Sequence, residues 1–182
     1  MDTLGIVEAR GIAAGVELAD AMVKAADVEL VRAGTVCSGR YLIQVAGDRE
    51  AVDTSVRLAR ESGRALAGAF VLANVSPQVL AALRGPSAHE DGDALGVVEC
   101  RTVSGGVAAA DSAVKRSAVR LLRLVAGQGI NGKSYFVIGG DVASVEEAAE
   151  AARSALGRDL LDAVVIPRPS PEVVRSVTRA AR

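Results

Sequence analysis

The sequence predicts an α/β fold of the α+β kind: two tandem β-α-β-β-α-β units, each a sheet with helices on one face. Three observations predict it. The chain repeats itself, each copy alternates short extended runs with helix-period runs, and its composition suits ordinary globular cores. Of 182 residues, 50% are hydrophobic and 24% charged, which fits one domain of average size or two small ones. When residues 3–32 are set beside 94–123, nearly half of the positions are identical, among them Glu8/Glu99, Asp20/Asp111 and Lys24/Lys115. "GRYLIQVAGD" from Gly39 matches "GKSYFVIGGD" from Gly132, so the second copy gains two residues just before this point. The copies thus diverge at "AGTVCSG" against "VAGQGINGK", the stretch that holds Cys37.

Each element follows from local pattern. "LGIVEAR" is a short β-type run, and in "AAGVELADAMVKAA" Val16, Ala19, Met22 and Val23 recur at helical spacing. "DVELVRAGTV" and "RYLIQVAG" are extended runs separated by Cys-Ser-Gly, the pattern of a hairpin. In "GDREAVDTSVRLARESG" Asp48 caps a helix that carries Val52, Val56 and Ala59 on one face and stops near Gly63. "GAFVLANV" and a short helix after Pro77 close the copy. The second copy repeats the layout through "GDVASVEEAAEAARSALG" and "DAVVIPRPSPEVVRSV". The Gly-, Pro- and charge-rich "RGPSAHEDGD" reads as the connection. The expected domains are residues 1–86 and 94–182, with 87–93 as linker.

Composition also excludes functions. A net charge of -1, 2% aromatic residues and no Trp leave neither a basic footprint for phosphates nor rings for stacking bases, so nucleic acid is not an expected partner. No apolar run reaches the roughly 18 residues of a membrane span, and the start lacks a signal-peptide pattern. The expectation is a cytoplasmic chain away from membranes, with reduced thiols. "GGVAAAD" and "GQGING" lack the G-x-x-x-x-G-K-[ST] arrangement, which argues against nucleotide binding. His89, beside Glu90 and Asp91, reads as a solvated linker residue. Cys100 falls in a strand, at the position of Ala9, and reads as a buried small hydrophobe. Glu8 and Glu99, recurring in both copies, read as structural. Cys37 at a turn leaves open a nucleophile, a metal ligand, half of a disulfide or an inert thiol; no neighbouring base supports an enzyme.

"LGIVEARG", "ADAMVKAADVEL", the Gly-containing turn, "VAGDREAV" and "VVIPRP" together resemble the bacterial microcompartment shell proteins, with one full domain in each half. The order is similar to the unpermuted tandem-domain class, and among these to the propanediol-utilisation type with a pore cysteine. The resemblance implies a non-enzymatic shell component, a homotrimer of pseudohexameric shape that tiles with hexameric shell proteins around enzymes, one of them a redox enzyme. It places Thr35, Val36, Cys37, Ser38 and Gly39 at the central pore, with Gly129, Ile130, Asn131 and Gly132 from the second turn. It also implies a 4Fe-4S cluster, one per trimer and oxygen-labile, ligated by Cys37 of three subunits for electron transfer across the shell. The backbone amides of Ser38 and Gly39 are expected to face its sulfur. The alternative is a metal-free pore that passes small polar metabolites. Lys24, Lys115 and Arg168 resemble tile-edge residues, and Asn74 stands at the edge position matching Pro167 in the first copy.

Overall fold

The computed structural model describes residues 3–84, 92–127 and 129–178. The expected linker falls largely, and His89 with its acidic neighbours wholly, outside them. The first copy runs β1 (Thr3–Ala9), α1 (Ile12–Ala25), β2 (Val28–Val36), a 3-10 turn (Cys37–Gly39), β3 (Arg40–Gly47), α2 (Arg49–Glu61), β4 (Leu66–Leu72) and α3 (Pro77–Arg84). The second runs β5 (Ala94–Cys100), α4 (Val103–Arg116), β6 (Arg120–Ala126), β7 (Ser134–Gly140), α5 (Val142–Leu156), β8 (Leu160–Pro167) and α6 (Pro171–Thr178). Two four-stranded antiparallel sheets result, ordered β2-β3-β1-β4 and β6-β7-β5-β8. The repeat extends to its irregularities. The ladder shifts register between Glu8 and Ala9 and again between Glu99 and Cys100, and likewise at Leu30/Arg32 and Leu121/Arg123.

The chain divides into two compact units that do not follow the repeat. One comprises Met1–Val75 with Thr102–Ser104 and Gly127–Gly132; the other comprises Ser76–Arg101, Gly105–Ala126 and Lys133–Arg182. In the first, Val7, Ala9, Ile43 and Val45 on one sheet face pack against Leu18, Ala19 and Met22 of α1 and Val52, Val56 and Ala59 of α2. Alternate strand residues and i, i+3, i+4 helix residues thus meet in one core. In the second, Leu95, Leu122 and Val137 gather Val97, Tyr135 and Val177, and α5 buries Val145, Ala148, Ala149 and Ala152.

Three expectations change on contact with the structure. Val16 lies outside the core, 52% exposed, because the buried stripe of α1 runs through Gly15, Leu18, Ala19 and Met22. The helix presses Gly15 onto Tyr41, where an added Cβ would sit 2.3 Å from the Tyr41 Cβ, and this turns Val16 aside. Asp48 occupies the N-cap of α2 with no side-chain bond, whereas Asp141 at α5 accepts from the Ser144 N–H at 2.9 Å. Finally, Asn74 matches Arg168 and not Pro167. Leu72 stands opposite Leu4 as Ile166 stands opposite Leu95, and two residues on Asn74 and Arg168 share the same left-handed φ of 49°. One extra residue in the last turn of α5, which has 15 residues against 13 in α2, accounts for the slip.

Candidate functional site

The site is built on the turn between β2 and β3. Ser38 and Gly39 both take φ 70°, so the chain reverses over Cys37–Gly39 and leaves Cys37 half-buried at the tip. Residues 127–132 of the second copy lie against this tip and belong to the same compact unit. The Cys37 N–H donates to the Gly127 carbonyl at 3.3 Å, and the Gly129 N–H donates to Cys37 Sγ at 3.1 Å. Ser38 Oγ lies 2.8 Å from the Asn131 carbonyl and 2.6 Å from the Asn131 side-chain amide oxygen. One hydroxyl proton serves one of these contacts. Turning the Asn131 amide lets its NH2 donate to Oγ while Oγ–H donates to the carbonyl. Gly132 completes the seam: it holds φ 73°, and a Cβ there would come within 2.7 Å of the Cys37 carbonyl oxygen.

The sulfur is therefore held by backbone donors. Its pKa is lowered from the ordinary thiol value, chiefly by the Gly129 N–H and further by the amides of Gly132, Ile130 and Asn131, against a smaller opposing effect of desolvation. These replace Ser38 and Gly39 as the donors expected from sequence. The cause is spatial: the loop with the two-residue insertion reaches over the thiol, and its left-handed residues Gly129, Asn131 and Gly132 turn successive amides inward. Cys100 is the opposite case, fully buried in β5 with its thiol pushed up to about 12 by burial.

Sequence reasoning missed Arg40. Its Nη1 donates to Glu8 Oε1 at 3.0 Å and to the Gly132 carbonyl at 3.3 Å, linking the loop to a fully buried carboxylate. The other oxygen, Oε2, accepts from the Ser104 N–H and Oγ–H at 3.0 Å each. The repeat carried the signal, because Lys133 and Glu99 stand at the matching positions and pair at 2.9 Å. Glu8 and Glu99 are thus structural ion-pair partners.

The other predicted site residues lie as follows. Thr35 is exposed at the end of β2, Gly129 and Asn131 are exposed, Ile130 is half-buried, and Val36 and Gly132 are buried. Val36 packs its side chain against Gly127 and so offers none to a pore. Lys24 pairs with Asp20 at 2.6 Å and Lys115 with Asp111, each one turn along its own helix. Asp111 also accepts the Ser76 N–H at 2.7 Å. Asn74 and Arg168 are exposed on their turns. Among the described residues no three His, Cys, Asp or Glu side chains converge as a metal site. One chain brings a single sulfur, and a three-sulfur set needs three chains; an accessible, amide-bonded thiolate is the donor such a set requires. No helix of the described residues is long and apolar enough to cross a membrane.

Comparison with known proteins agrees with this architecture. The BMC domain model matches residues 3–79 and again 94–169. The chain is 37% identical over 177 residues to the bacterial microcompartment shell protein PduT of Citrobacter freundii, covering 96% of both chains. It is 37% identical over 94 residues to the carboxysome shell protein CsoS1B of Halothiobacillus neapolitanus, covering 50% of this chain and 84% of that protein. The crystal structure of a microcompartments protein from Desulfitobacterium hafniense superposes with a TM-score of 0.81 at 39% identity, covering 96% of this chain and 99% of the other. With both halves matched and each folded as a four-stranded sheet with helices, the chain belongs to the BMC-domain family and carries two such domains in tandem.

Proposed function

We propose that this protein is a structural, non-enzymatic component of a bacterial microcompartment shell. It assembles as a homotrimer whose six domains make a pseudohexameric tile, and it tiles with hexameric shell proteins in the cytoplasm. Symmetric closure supports the trimer, since a chain with two similar domains needs three copies to close a six-domain ring. Lys24, Lys115, Asn74 and Arg168 are its edge contacts. The nearly full-length likeness to a protein named as a shell component supports the role.

In the tile, Cys37 of three subunits meets on the axis and ligates a 4Fe-4S cluster. Bound there, the cluster supplies one-electron transfer across the shell, toward a redox enzyme inside. The observation that carries this reading is the thiol itself: half-buried at a turn tip, with a backbone N–H donating to it at 3.1 Å. Sizing of anaerobically purified protein with iron and sulfide analysis and electron paramagnetic resonance tests it. The expected result is a trimer with about four irons per three chains, lost in Cys37→Ser. Wild-type protein as iron-poor as that variant refutes the cluster, leaving a metal-free pore.

A further inference from the structure

We propose that residues 129–132 form a hydrogen-bond-donating shell for the Cys37 sulfur, held in place by Ser38, Asn131 and Arg40 as positioning residues, and that this shell sets the reduction potential of the cluster. The inference rests on the cluster reading above and gives a function to the two-residue insertion in the second copy's turn.

Three sets of contacts support it. The shell touches the sulfur directly, through the Gly129 N–H at 3.1 Å. It is fastened on one side of the thiol by Ser38 to Asn131, at 2.6 and 2.8 Å. Arg40 fastens the far end through the Gly132 carbonyl at 3.3 Å, and is itself anchored on buried Glu8 at 3.0 Å. Gly132 admits the close approach, because any side chain there would meet the Cys37 carbonyl oxygen, its Cβ at 2.7 Å. The fastenings therefore fix the distance from amide to sulfur. A hydrogen bond to a ligating sulfur stabilises added negative charge, which favours the reduced cluster and raises its potential. The first copy's shorter turn carries the sulfur and the longer second turn carries its donors, so each of the three thiolates in a trimer has its own shell.

The test uses full-length chain reconstituted anaerobically with iron and sulfide. Ser38→Gly removes both contacts of the fastening and Asn131→Gly only the side-chain one, each keeping a residue that accepts the left-handed φ of 70° and 55°. Redox titration followed by electron paramagnetic resonance on the iron-loaded fraction is expected to give a more negative midpoint in each. The double variant should shift no further than Ser38→Gly, because that hydroxyl makes every contact Asn131→Gly removes. Unchanged midpoints, or shifts that add, overturn the proposal. Amide exchange on iron-free chain gives a second readout: the Gly129 N–H is expected to exchange about tenfold faster in Ser38→Gly and in Cys37→Ala, the effect of losing one hydrogen bond. Equal exchange overturns the donor shell whether or not iron binds. Wild type that binds no iron refutes the cluster instead, and the exchange rates then decide the shell.

Discussion

Arg40→Met and Lys133→Met remove the cation of an equivalent ion pair from each copy of the repeat, yet they should differ sharply in cost. Glu8 is fully buried and Arg40 only 18% exposed, whereas Glu99 and Lys133 are 41% and 45% exposed. Breaking a buried pair by deleting one partner costs about 3–5 kcal/mol, because the stranded charge keeps its desolvation penalty. Ser104 still gives Glu8 Oε2 two hydrogen bonds, which moderates the expected loss to about 2–4 kcal/mol. The exposed pair contributes about 0–1 kcal/mol. For a chain of this size each kcal/mol moves the midpoint by about 2–4 °C, so Arg40→Met should lower Tm by roughly 5–15 °C and Lys133→Met by less than about 4 °C. Adding Glu8→Gln to Arg40→Met should recover part of the loss, since a neutral amide leaves no charge to strand. Thermal melts followed by circular dichroism at one protein concentration measure all four. Equal losses from Arg40→Met and Lys133→Met, or no recovery in the double variant, would refute the assignment of Glu8 as a buried anion that depends on Arg40.

Two further outcomes are expected. In iron-free chain at neutral pH, iodoacetamide should alkylate Cys37 and spare Cys100, whose thiol burial holds at about 12. The Cys37 rate should level off at lower pH than that of free cysteine, because amide bonding holds its pKa below the ordinary value; mass spectrometry showing both thiols labelled alike, or an unshifted profile, would contradict the site geometry. Gly5→Ala and Gly96→Ala, the same position in the two copies, should each cost about 1–3 kcal/mol by overpacking. An added Cβ would meet Val45 and Val56 at 2.8 Å in one and Ile138 at 2.7 Å in the other, and urea unfolding at wild-type midpoints would show that these strands have slack.

Much of the fold was readable because it is local and stated twice. Strand and helix periods, Pro77, the Cys-Ser-Gly turn and the two helix starts at Asp48 and Asp141 all act over a few residues, and the repeat marked Glu8 and Glu99 as structural. What escaped was register and distance. Val16 has the right spacing for a core position, but Gly15 seated on Tyr41 rotates the helix by one place. Asn74 slipped because one residue added within the last turn of α5 leaves no sign in composition. The donors to Cys37 escaped for a deeper reason: they lie 92 positions away along the chain from the thiol they serve. The only trace in the sequence was a longer, glycine-rich second turn, which said that the loop was different and not what it touched.

The fastening of residues 127–132 and of Ser104 within the unit of the first copy bears on how the molecule can be divided. A half-length protein ending near the connection would keep the Cys37 turn, its own sheet and its three helices. It would lose the amides at the sulfur and two of the donors to Glu8. The first copy's turn and its buried carboxylate thus lean on residues that the second copy supplies. Cutting at the connection is expected to disarm both, so the seam at which the sequence repeats is not a seam at which the molecule divides.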